Sequence, residues 1–278
     1  MTEHPRLGLV IGSGSVKCAA SLGLWKVLER EGIQLDMVVG CSGGSMYATG
    51  IAFGDDVAYI EQNTLSLWTE DLMAGYTSNL RAAMTGEVRF TERSGLVDAE
   101  AATARIASVY GERRFDQTKI PLSIVATDFM TGEPAVLSQG RVMDAIRASI
   151  AIPMIFPPYE VDGRLLTDGA VSNPLPVDVA IMEGCNIILA MGFELPYRSR
   201  MRSFNAVQSH LNAVYINNIL RATYAFYNLA HHAEIIPILP VFEKEIGNFD
   251  TAQLPYIIAQ GEAEAEAQIP YLKKLMGL

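Results

Sequence analysis

The sequence is poor in cysteine, histidine and positive charge. It has 3 cysteines and 4 histidines among 278 residues, and its formal net charge is −10. Three unpatterned cysteines argue against a disulfide framework and favour the reducing cytosol, and no cysteine–histidine cluster has zinc-site spacing. The acidic balance comes without the basic patch that nucleic-acid binders present, and it disfavours long-range attraction to anionic membranes. We therefore expect a cytoplasmic protein that does not bind nucleic acid.

Sequence signals for membrane insertion and secretion are also missing. No apolar run reaches the roughly 18 residues that span a bilayer. The opening residues Met1–Arg6 have no basic region followed by a long apolar stretch, so no secretory signal is expected. The sequence indicates no oligomeric state.

Half of the residues are hydrophobic and 19% are charged, which is enough apolar material for a large core. Apolar runs alternate with segments of helical spacing, without repeat or clear linker, and this predicts one α/β domain over 1–278. A C-terminal helical region at about 203–278 is expected to pack on the same domain. Predicted strands are 7–11, 37–39, 121–127, 133–138, 186–193 and 235–239, with a hairpin over 159–167. Predicted helices are 18–31, 45–53, 57–68, 97–110, 141–149, 177–183, 204–231 and 251–276, the last kinked or broken at Pro270. Residues 70–97 have no clean period and are interpreted as a flap or an irregular connection.

The pentapeptide Gly40-Cys41-Ser42-Gly43-Gly44 is a G-x-S-x-G motif. It follows the second predicted strand and precedes a stretch of helical spacing, which is the context that a nucleophile elbow requires. In such a turn the serine hydroxyl is exposed and the amides after it are free. Gly40, Gly43 and Gly44 let the backbone and the helix approach where a Cβ would clash. We therefore predict Ser42 as a nucleophile.

A serine nucleophile also needs an oxyanion hole, and the loop between the first strand and its helix is a candidate. Amides at such a junction point toward a ligand and are reinforced by the helix dipole. A plain strand-to-helix turn remains an equal alternative. A dinucleotide fingerprint is disfavoured because Lys17 stands where the third glycine would be. The candidate loop residues are Gly12, Ser13, Gly14, Ser15 and Lys17.

The best candidate for the base is Asp168, which follows a predicted strand and precedes Gly169, where the chain can turn sharply. Reactive residues gather at the carboxyl ends of strands in open α/β sheets. A turn aspartate without a chemical role remains an alternative. A Ser42–Asp168–His231 triad would match the chain order of α/β-hydrolases. That fold, however, usually presents its serine after several strands, and only two precede Ser42.

Taken together, these residues resemble the patatin-like phospholipases, especially their bacterial members. The resemblance covers about residues 6–195. It implies a three-layer fold with a mostly parallel central sheet, and a Ser42–Asp168 dyad without histidine that hydrolyses lipid acyl esters. It also implies no metal or cofactor, a lipid or acyl-ester substrate with transient membrane-surface contact, and an acyl channel lined by 148–158, for which plain core is equally open. The motifs that carry it are Gly40–Gly44, Asp168-Gly169-Ala170, Ile124–Asp128, Thr131–Glu133, Ile146–Ser149, Ile152-Pro153, Phe156–Pro158 and Asn173–Val177.

The sequence departs from the family in the oxyanion loop, where the family has glycine in place of Ser13, Ser15 and Cys18. Serine and cysteine keep their amides as donors, but each side chain costs on the order of 1 kcal/mol where φ is positive. A misaimed oxyanion donor costs ~10²–10³ in kcat. Two hypotheses therefore stand: an esterase, phospholipase A or lysophospholipase, and a weakly active or inactive protein of the same fold that binds lipid or regulates.

A dyad and a histidine triad predict different behaviour with pH. The acidic limb of kcat/KM would reflect one carboxylate, whose ordinary pKa is ~3.9, whereas a histidine would give a limb near ~6.5. Burial of Asp168 raises its pKa, and amide donors such as that of Ala170 lower it.

Overall fold

The computed structural model describes residues 5–69, 73–195, 197, 199–230 and 233–278, and within them eight strands form one sheet. The strand order is β5-β6-β3-β2-β1-β7-β8, with β4 also paired to β3. Strands β3, β2, β1, β7 and β8 are parallel, whereas β4, β5 and β6 pair antiparallel. The strands are β1 (Leu7–Ile11), β2 (Met37–Cys41), β3 (Leu122–Asp128), β4 (Pro134–Leu137), β5 (Tyr159–Val161), β6 (Arg164–Asp168), β7 (Ile187–Met191) and β8 (Glu234–Ile238).

Helices cover both faces of the sheet. They are α1 (Ala20–Arg30), α2 (Gly43–Phe53), α3 (Val57–Leu67), α4 (Tyr76–Thr85), α5 (Ala99–Tyr110), α6 (Val142–Ser149), α7 (Val177–Met182), α8 (Phe204–Ala230) and α9 (Leu254–Met276). Of the described helices, none is both long enough and apolar enough to cross a bilayer. The predicted end of helix α8 at His231 lies outside the described residues.

The central strands are buried along their whole length because each of their faces meets a layer of helices. Every residue of β1, β2 and β7 is buried. Along β1, Leu9 and Ile11 belong to the larger core with α1, α2 and α9, and Val10 belongs to the smaller core with α7 and α8. The result is the expected three-layer α/β arrangement.

The edge of β3 decides where the functional residues meet. The first half of β3 pairs with β2 in parallel, and the second half pairs with β6 antiparallel. Strand β4 pairs with residues of both halves, so it must occupy the opposite edge. Strands β2 and β6 therefore lie end to end along one edge of β3. Their carboxyl-terminal residues, Cys41 and Asp168, pair with the consecutive residues Val125 and Ala126.

Two segments differ from the sequence-based expectation. The irregular region 70–97 contains the helix α4, of which no residue is buried. Met73 and Tyr76 at its start pack against a small cluster that includes Ala151 and Phe156. Helix α9 runs through Pro270 without a break to Met276, because buried Ala265 and Leu272 anchor it on both sides.

Candidate active site

Ser42 lies on the turn between β2 and α2 with φ 52° and ψ −129°. A positive φ is strained for a residue with a side chain, and such strain persists only where the surroundings impose it. The Ser42 amide donates a hydrogen bond of 2.8 Å to Ser149 Oγ, and the Ser149 hydroxyl donates one of 2.6 Å to the Val125 carbonyl. Ser149 at the end of α6 therefore links the turn at Ser42 to β3 through two hydrogen bonds.

Small residues let α2 begin directly against the loop that follows β1. A methyl group at Gly43 would lie 2.7–2.9 Å from backbone atoms of Ser15, and one at Gly44 would overlap the carbonyls of Ile11 and Gly12. A methyl group at Gly40 would lie 2.6 Å from the Cα of Ser45. The glycines of this turn thus bring the amide of Gly43, directly after Ser42, close to the loop.

The structure brings Ser42 and Asp168 together. The Ser42 hydroxyl donates a 2.8 Å hydrogen bond to Asp168 Oδ2, and the amide of Ala170 donates one of 2.8 Å to Asp168 Oδ1. Both side chains are buried, with 8% of Ser42 and 3% of Asp168 exposed. A methyl group at Gly169 would overlap the Val125 carbonyl and lie 2.8 Å from Cys41 Sγ, so the turn after Asp168 requires glycine.

Burial raises the pKa of Asp168 from its ordinary 3.8 to about 6, although hydrogen bonds from the Ala170 amide and the Ser42 hydroxyl pull it down. Desolvation therefore wins over the donors. A carboxylate with this pKa is ionised at neutral pH and is more basic than an exposed aspartate. This pKa is close to the ordinary ~6.5 of a histidine. The different pH behaviour of a dyad and a triad therefore stays a prediction, and substitution of the histidines is needed beside the pH profile to distinguish them.

Three amides of the candidate loop residues are already occupied, and that of Lys17 donates to the Gly14 carbonyl over 3.1 Å. The Gly12 amide donates to the Met191 carbonyl over 2.9 Å, and the Ser13 amide donates to the Pro174 carbonyl over 2.8 Å. Ser15 has φ 51°, so the side-chain cost expected where family members have glycine applies to this position. Gly14 is extended with φ 177°, but a methyl group there would lie 2.5 Å from the Phe193 ring.

The side chains of Cys18 and Lys17, which follow this loop, hold it in place through hydrogen bonds to backbone carbonyls. The Cys18 thiol donates to the Gly12 carbonyl over 3.3 Å, and burial raises the pKa of this thiol, so it stays protonated as a donor. Lys17 Nζ donates to the Glu194 carbonyl over 3.1 Å, and burial lowers the pKa of its ammonium group. The Lys17 side chain thus reaches the segment after β7.

Ser42 also borders an apolar cavity of about 30 Å³. Three residues of the stretch expected to line an acyl channel form part of its wall: Ile150, Ile152 and Phe156. Trp68 and Phe249 form another part, with ring centroids 5.7 Å apart. The remaining lining residues are Met46, Leu67, Ala102, Arg105 and Ile106. Arg105 also donates a hydrogen bond to Thr69 Oγ1.

Of the four histidines, His210 is the one that lies among the described residues. Both carboxylate oxygens of Asp168 have their hydrogen bonds from Ser42 and Ala170. The ring of His210 on α8 lies 5.9 Å from that of Tyr197. His4, His231 and His232 lie outside the described residues, so the triad with His231 has no geometry to compare. Within the described part of the chain, no cluster of His, Cys, Asp or Glu has the arrangement of a metal site.

Sequence reasoning missed Ser149 as a functional residue. It stood within a motif of the resemblance, but no role was assigned to it. Its contact with Ser42 joins positions 107 residues apart. Only the pairing of β2 with β3 and the packing of α6 beside them bring these residues together.

Comparisons with known proteins identify the family. A Patatin-like phospholipase family model matches residues 9–181, which include Ser42 and Asp168. An NTE family protein of Mycobacterium tuberculosis is 30% identical over 229 residues, 82% of this chain and 59% of that protein. Patatin-like phospholipase domain-containing protein 7 of Rattus norvegicus is 26% identical over 188 residues, 66% of this chain and 13% of that protein.

A solved structure supports the fold. Human GIVD cytosolic phospholipase A2, in complex with methyl gamma-linolenyl fluorophosphonate, has a TM-score of 0.51 at 11% identity and covers 99% of this chain and 60% of that chain. This chain spans 59% of the length of its mycobacterial relative. Since the family model matches more than half of the chain and includes both members of the buried pair, the chain belongs to the patatin-like phospholipase family.

Proposed function

We propose that this protein is a serine acyl hydrolase that cleaves the acyl esters of lipids through a Ser42–Asp168 dyad. The observation that carries the proposal is the 2.8 Å hydrogen bond from the Ser42 hydroxyl to a buried carboxylate with a raised pKa. A serine on a strained strand-to-helix turn with a base in hydrogen-bond reach is the arrangement of an activated nucleophile. The family membership supports lipid esters as the substrate class.

In the first half of the reaction, Ser42 Oγ attacks the ester carbonyl carbon while Asp168 Oδ2 takes the hydroxyl proton. The tetrahedral intermediate collapses, the bond to the alcohol breaks, and Asp168 returns the proton to the leaving alkoxide. In the second half, Asp168 takes a proton from water as the water oxygen attacks the acyl carbonyl carbon. The bond from that carbon to Ser42 Oγ then breaks, Asp168 returns the proton to Ser42 Oγ, and the fatty acid leaves. The raised pKa of the carboxylate suits both proton transfers at neutral pH.

The oxyanion requires donors that no carbonyl already occupies. Because the amides of Gly12 and Ser13 are bonded to other carbonyls, we assign this role to the Gly43 amide and to amides of residues 14–16. Gly43 begins α2, where backbone amides point out of the helix and its dipole favours negative charge. The absence of a side chain at Gly43 lets the two sets of donors converge.

The cavity beside Ser42 is the site of the acyl chain in this proposal, because its lining is apolar apart from Ser42 and Arg105. At about 30 Å³ it is too small for an acyl chain as it stands. Binding therefore requires the wall to open, and the Trp68–Phe249 pair belongs to the wall and joins two segments that lie far apart in the sequence. Substrate length thus depends on how far this pair moves.

Labelling with a fluorophosphonate probe and turnover of short p-nitrophenyl esters test the dyad directly. We expect Ser42→Ala to abolish labelling and both Ser42→Ala and Asp168→Asn to lose nearly all turnover. The matched controls His210→Ala and His231→Ala/His232→Ala should retain most of it. Labelling that persists in Ser42→Ala contradicts the proposal. Loss of turnover in a folded histidine variant would replace the dyad by an α/β-hydrolase triad.

One observation favours a second function, lipid binding without catalysis. Ser15 adopts φ 51° at a place where the resemblance implies glycine, so its amide is held in a strained backbone. Under this alternative the wild type turns over p-nitrophenyl esters no faster than Ser42→Ala does. Mass spectrometry of co-purified lipids would then identify the head group and chain length of the bound lipid. Neither proposed function specifies these two properties.

A further inference from the structure

Helix α8 carries an apolar stripe on the face that points away from the core. Five large apolar side chains along it are exposed: Phe204 by 62%, Val207 by 44%, Leu211 by 44%, Tyr215 by 60% and Phe226 by 63%. Steps of three, four, four and eleven residues separate them, so they share one face of a helix with 3.6 residues per turn.

The opposite face of the same helix packs on the sheet. Ala213, Asn217 and Leu220 are buried there, and the Tyr224 hydroxyl donates to the Ala190 carbonyl of β7. A helix that is apolar on one face and buried by it normally presents charged residues to water on the other. The sequence of α8 contains one arginine, Arg221, and no lysine, aspartate or glutamate. Arg221 pairs with Glu194. The outward face of α8 therefore has the composition of an interaction surface rather than that of a surface exposed to water.

Around Tyr215, three pairs of positions on the outward face carry like residues on both sides, whereas the pairs Gln208/Ala222 and Val207/Thr223 differ. Phenylalanine stands eleven positions before it and eleven after it, at Phe204 and Phe226. Branched aliphatic residues stand four positions away on each side, at Leu211 and Ile219. Exposed asparagines stand three positions away on each side, at 212 and 218. A sequence with this symmetry is complementary to an antiparallel copy of itself.

A two-fold axis through Tyr215 turns this symmetry into matched contacts. In an isologous interface residue i of one protomer meets residue j of the other, and j meets i. Two antiparallel α8 helices then place each Phe204 on the partner's Phe226 and each Leu211 on the partner's Ile219. The asparagine side chains at 212 and 218 oppose each other, and their amides donate and accept in both directions.

A membrane surface is a poorer match for the same stripe. Helices that lie on bilayers flank their apolar face with lysine and arginine along its length. Here the exposed Arg200 and Arg202 precede the first turn of α8, the helix itself contains Arg221, which pairs with Glu194, and the chain carries a net charge of −10. The uncharged stripe instead lets two acidic protomers approach at the place where they repel each other least.

The exposed area is sufficient for a specific interface. At roughly 200 Å² for each aromatic side chain, the three aromatic residues of the stripe leave about 370 Å² exposed on each protomer. Adding Val207, Leu211 and the flanking polar residues brings a pair of helices to about 1,000 Å² in total, the lower bound for a biological interface. This area fits a dimer that dissociates at low concentration.

We infer that the protein forms a two-fold symmetric homodimer by antiparallel packing of α8 against α8, with Tyr215 on the axis. The inference is independent of the acyl-hydrolase proposal, because none of these residues lies in the site around Ser42.

Sedimentation velocity over a range of micromolar concentrations tests the dimer. We expect the wild type to shift from monomer to dimer as concentration rises, and Tyr215→Glu, which places two carboxylates on the axis, to remain monomeric. The matched control is Met182→Glu, a residue that is 72% exposed on α7 outside the stripe, and it should dimerise like the wild type. A wild type that stays monomeric throughout overturns the inference. A monomer that binds anionic phospholipid vesicles in a Tyr215-dependent way overturns it in favour of a membrane.

Disulfide crosslinking tests the geometry. Tyr215→Cys should form a covalent dimer with itself on mild oxidation, because its two copies meet at the axis. Phe204→Cys and Phe226→Cys should crosslink with each other in a mixture but not with themselves. Copies of position 204 lie about 33 Å apart at 1.5 Å per residue, far beyond the roughly 7 Å that a disulfide allows. The native cysteines Cys18, Cys41 and Cys185 are buried, so the wild type provides the background. Self-crosslinking of Phe204→Cys alone, or a dimer without any of these crosslinks, contradicts the antiparallel arrangement.

Discussion

Replacing Asp168 by asparagine is expected to stabilise the fold while it abolishes turnover. The side chain is 3% exposed, and desolvation of its charged form dominates its pKa. Asparagine has nearly the same shape and is neutral at every pH. Its Oδ1 accepts from the Ala170 amide, and its Nδ2 donates to Ser42 Oγ, so both hydrogen bonds of the wild type have a replacement.

The raised pKa sets the size and sign of the effect. A shift from 3.8 to about 6 corresponds to about 3 kcal/mol at 1.36 kcal/mol per unit. The folded state holds the proton more tightly than the unfolded state does, so this contribution is fully present below pH 3.8. It is lost as pH rises through about 6. Above pH 6 the wild type therefore bears the desolvation cost that the asparagine variant avoids.

Urea or thermal unfolding of both proteins at pH 4, 6 and 8 measures this cost. We expect Asp168→Asn to gain about 3 kcal/mol at pH 8, a Tm increase of roughly 6–12 °C, and the gain to vanish at pH 4. Asp116→Asn, whose side chain is 72% exposed, serves as the control and should show no such gain. A variant that is less stable than the wild type at pH 8, or a gain that is the same at pH 4, would refute the reasoning.

Three further substitutions probe the elbow, the loop and the cavity. Ser149→Ala leaves the Ser42 amide and the Val125 carbonyl without their partner, so we expect about 2 kcal/mol less unfolding free energy and a fluorophosphonate labelling rate at least tenfold lower. Ser149→Thr keeps the hydroxyl and should regain most of both, and equal labelling rates in all three proteins would contradict a positioning role. Gly43→Ala places a methyl group 2.7–2.9 Å from Ser15, which displaces the loop, and kcat for p-nitrophenyl esters should fall ~10²-fold. Gly247→Ala, where the nearest atom lies 3.9 Å away, is its control, and an unchanged kcat in Gly43→Ala would remove this loop from the mechanism. Phe249→Ala opens the wall of the cavity, so kcat/KM over a series of acyl lengths should shift toward longer chains. The exposed Met182→Ala should leave the chain-length profile as it is, and a profile that also stays unchanged in Phe249→Ala would place the acyl chain elsewhere.

Local sequence signals predicted most of the secondary structure. The Asp162-Gly163 turn is the clearest case, because the type I′ turn expected from this dipeptide requires positive φ at both residues and they have φ 50° and 75°. The helix α4 was not predicted because its residues form no buried face, so its sequence has no apolar period. Pro270 is tolerated because packing on both sides of it outweighs the loss of one backbone hydrogen bond.

The candidate site was less accessible to sequence reasoning. The spacing of Ser42 and Asp168 along the chain says nothing of their contact, which depends on β2 and β6 sharing one edge of β3. The family resemblance supplied the pair where residue spacing left it open. The pKa of Asp168 results from two opposing effects, and only the structure gives the depth of burial that decides between them.

The end-to-end placement of β2 and β6 has a consequence for how the protein folds. Ser42 and Asp168 are 126 residues apart, so their contact closes a long loop and belongs to the slow, non-local part of folding. Under the proposed dyad, Ser42 has no base until β6 has docked on β3. We therefore expect fluorophosphonate reactivity to appear during refolding only when this antiparallel pairing forms.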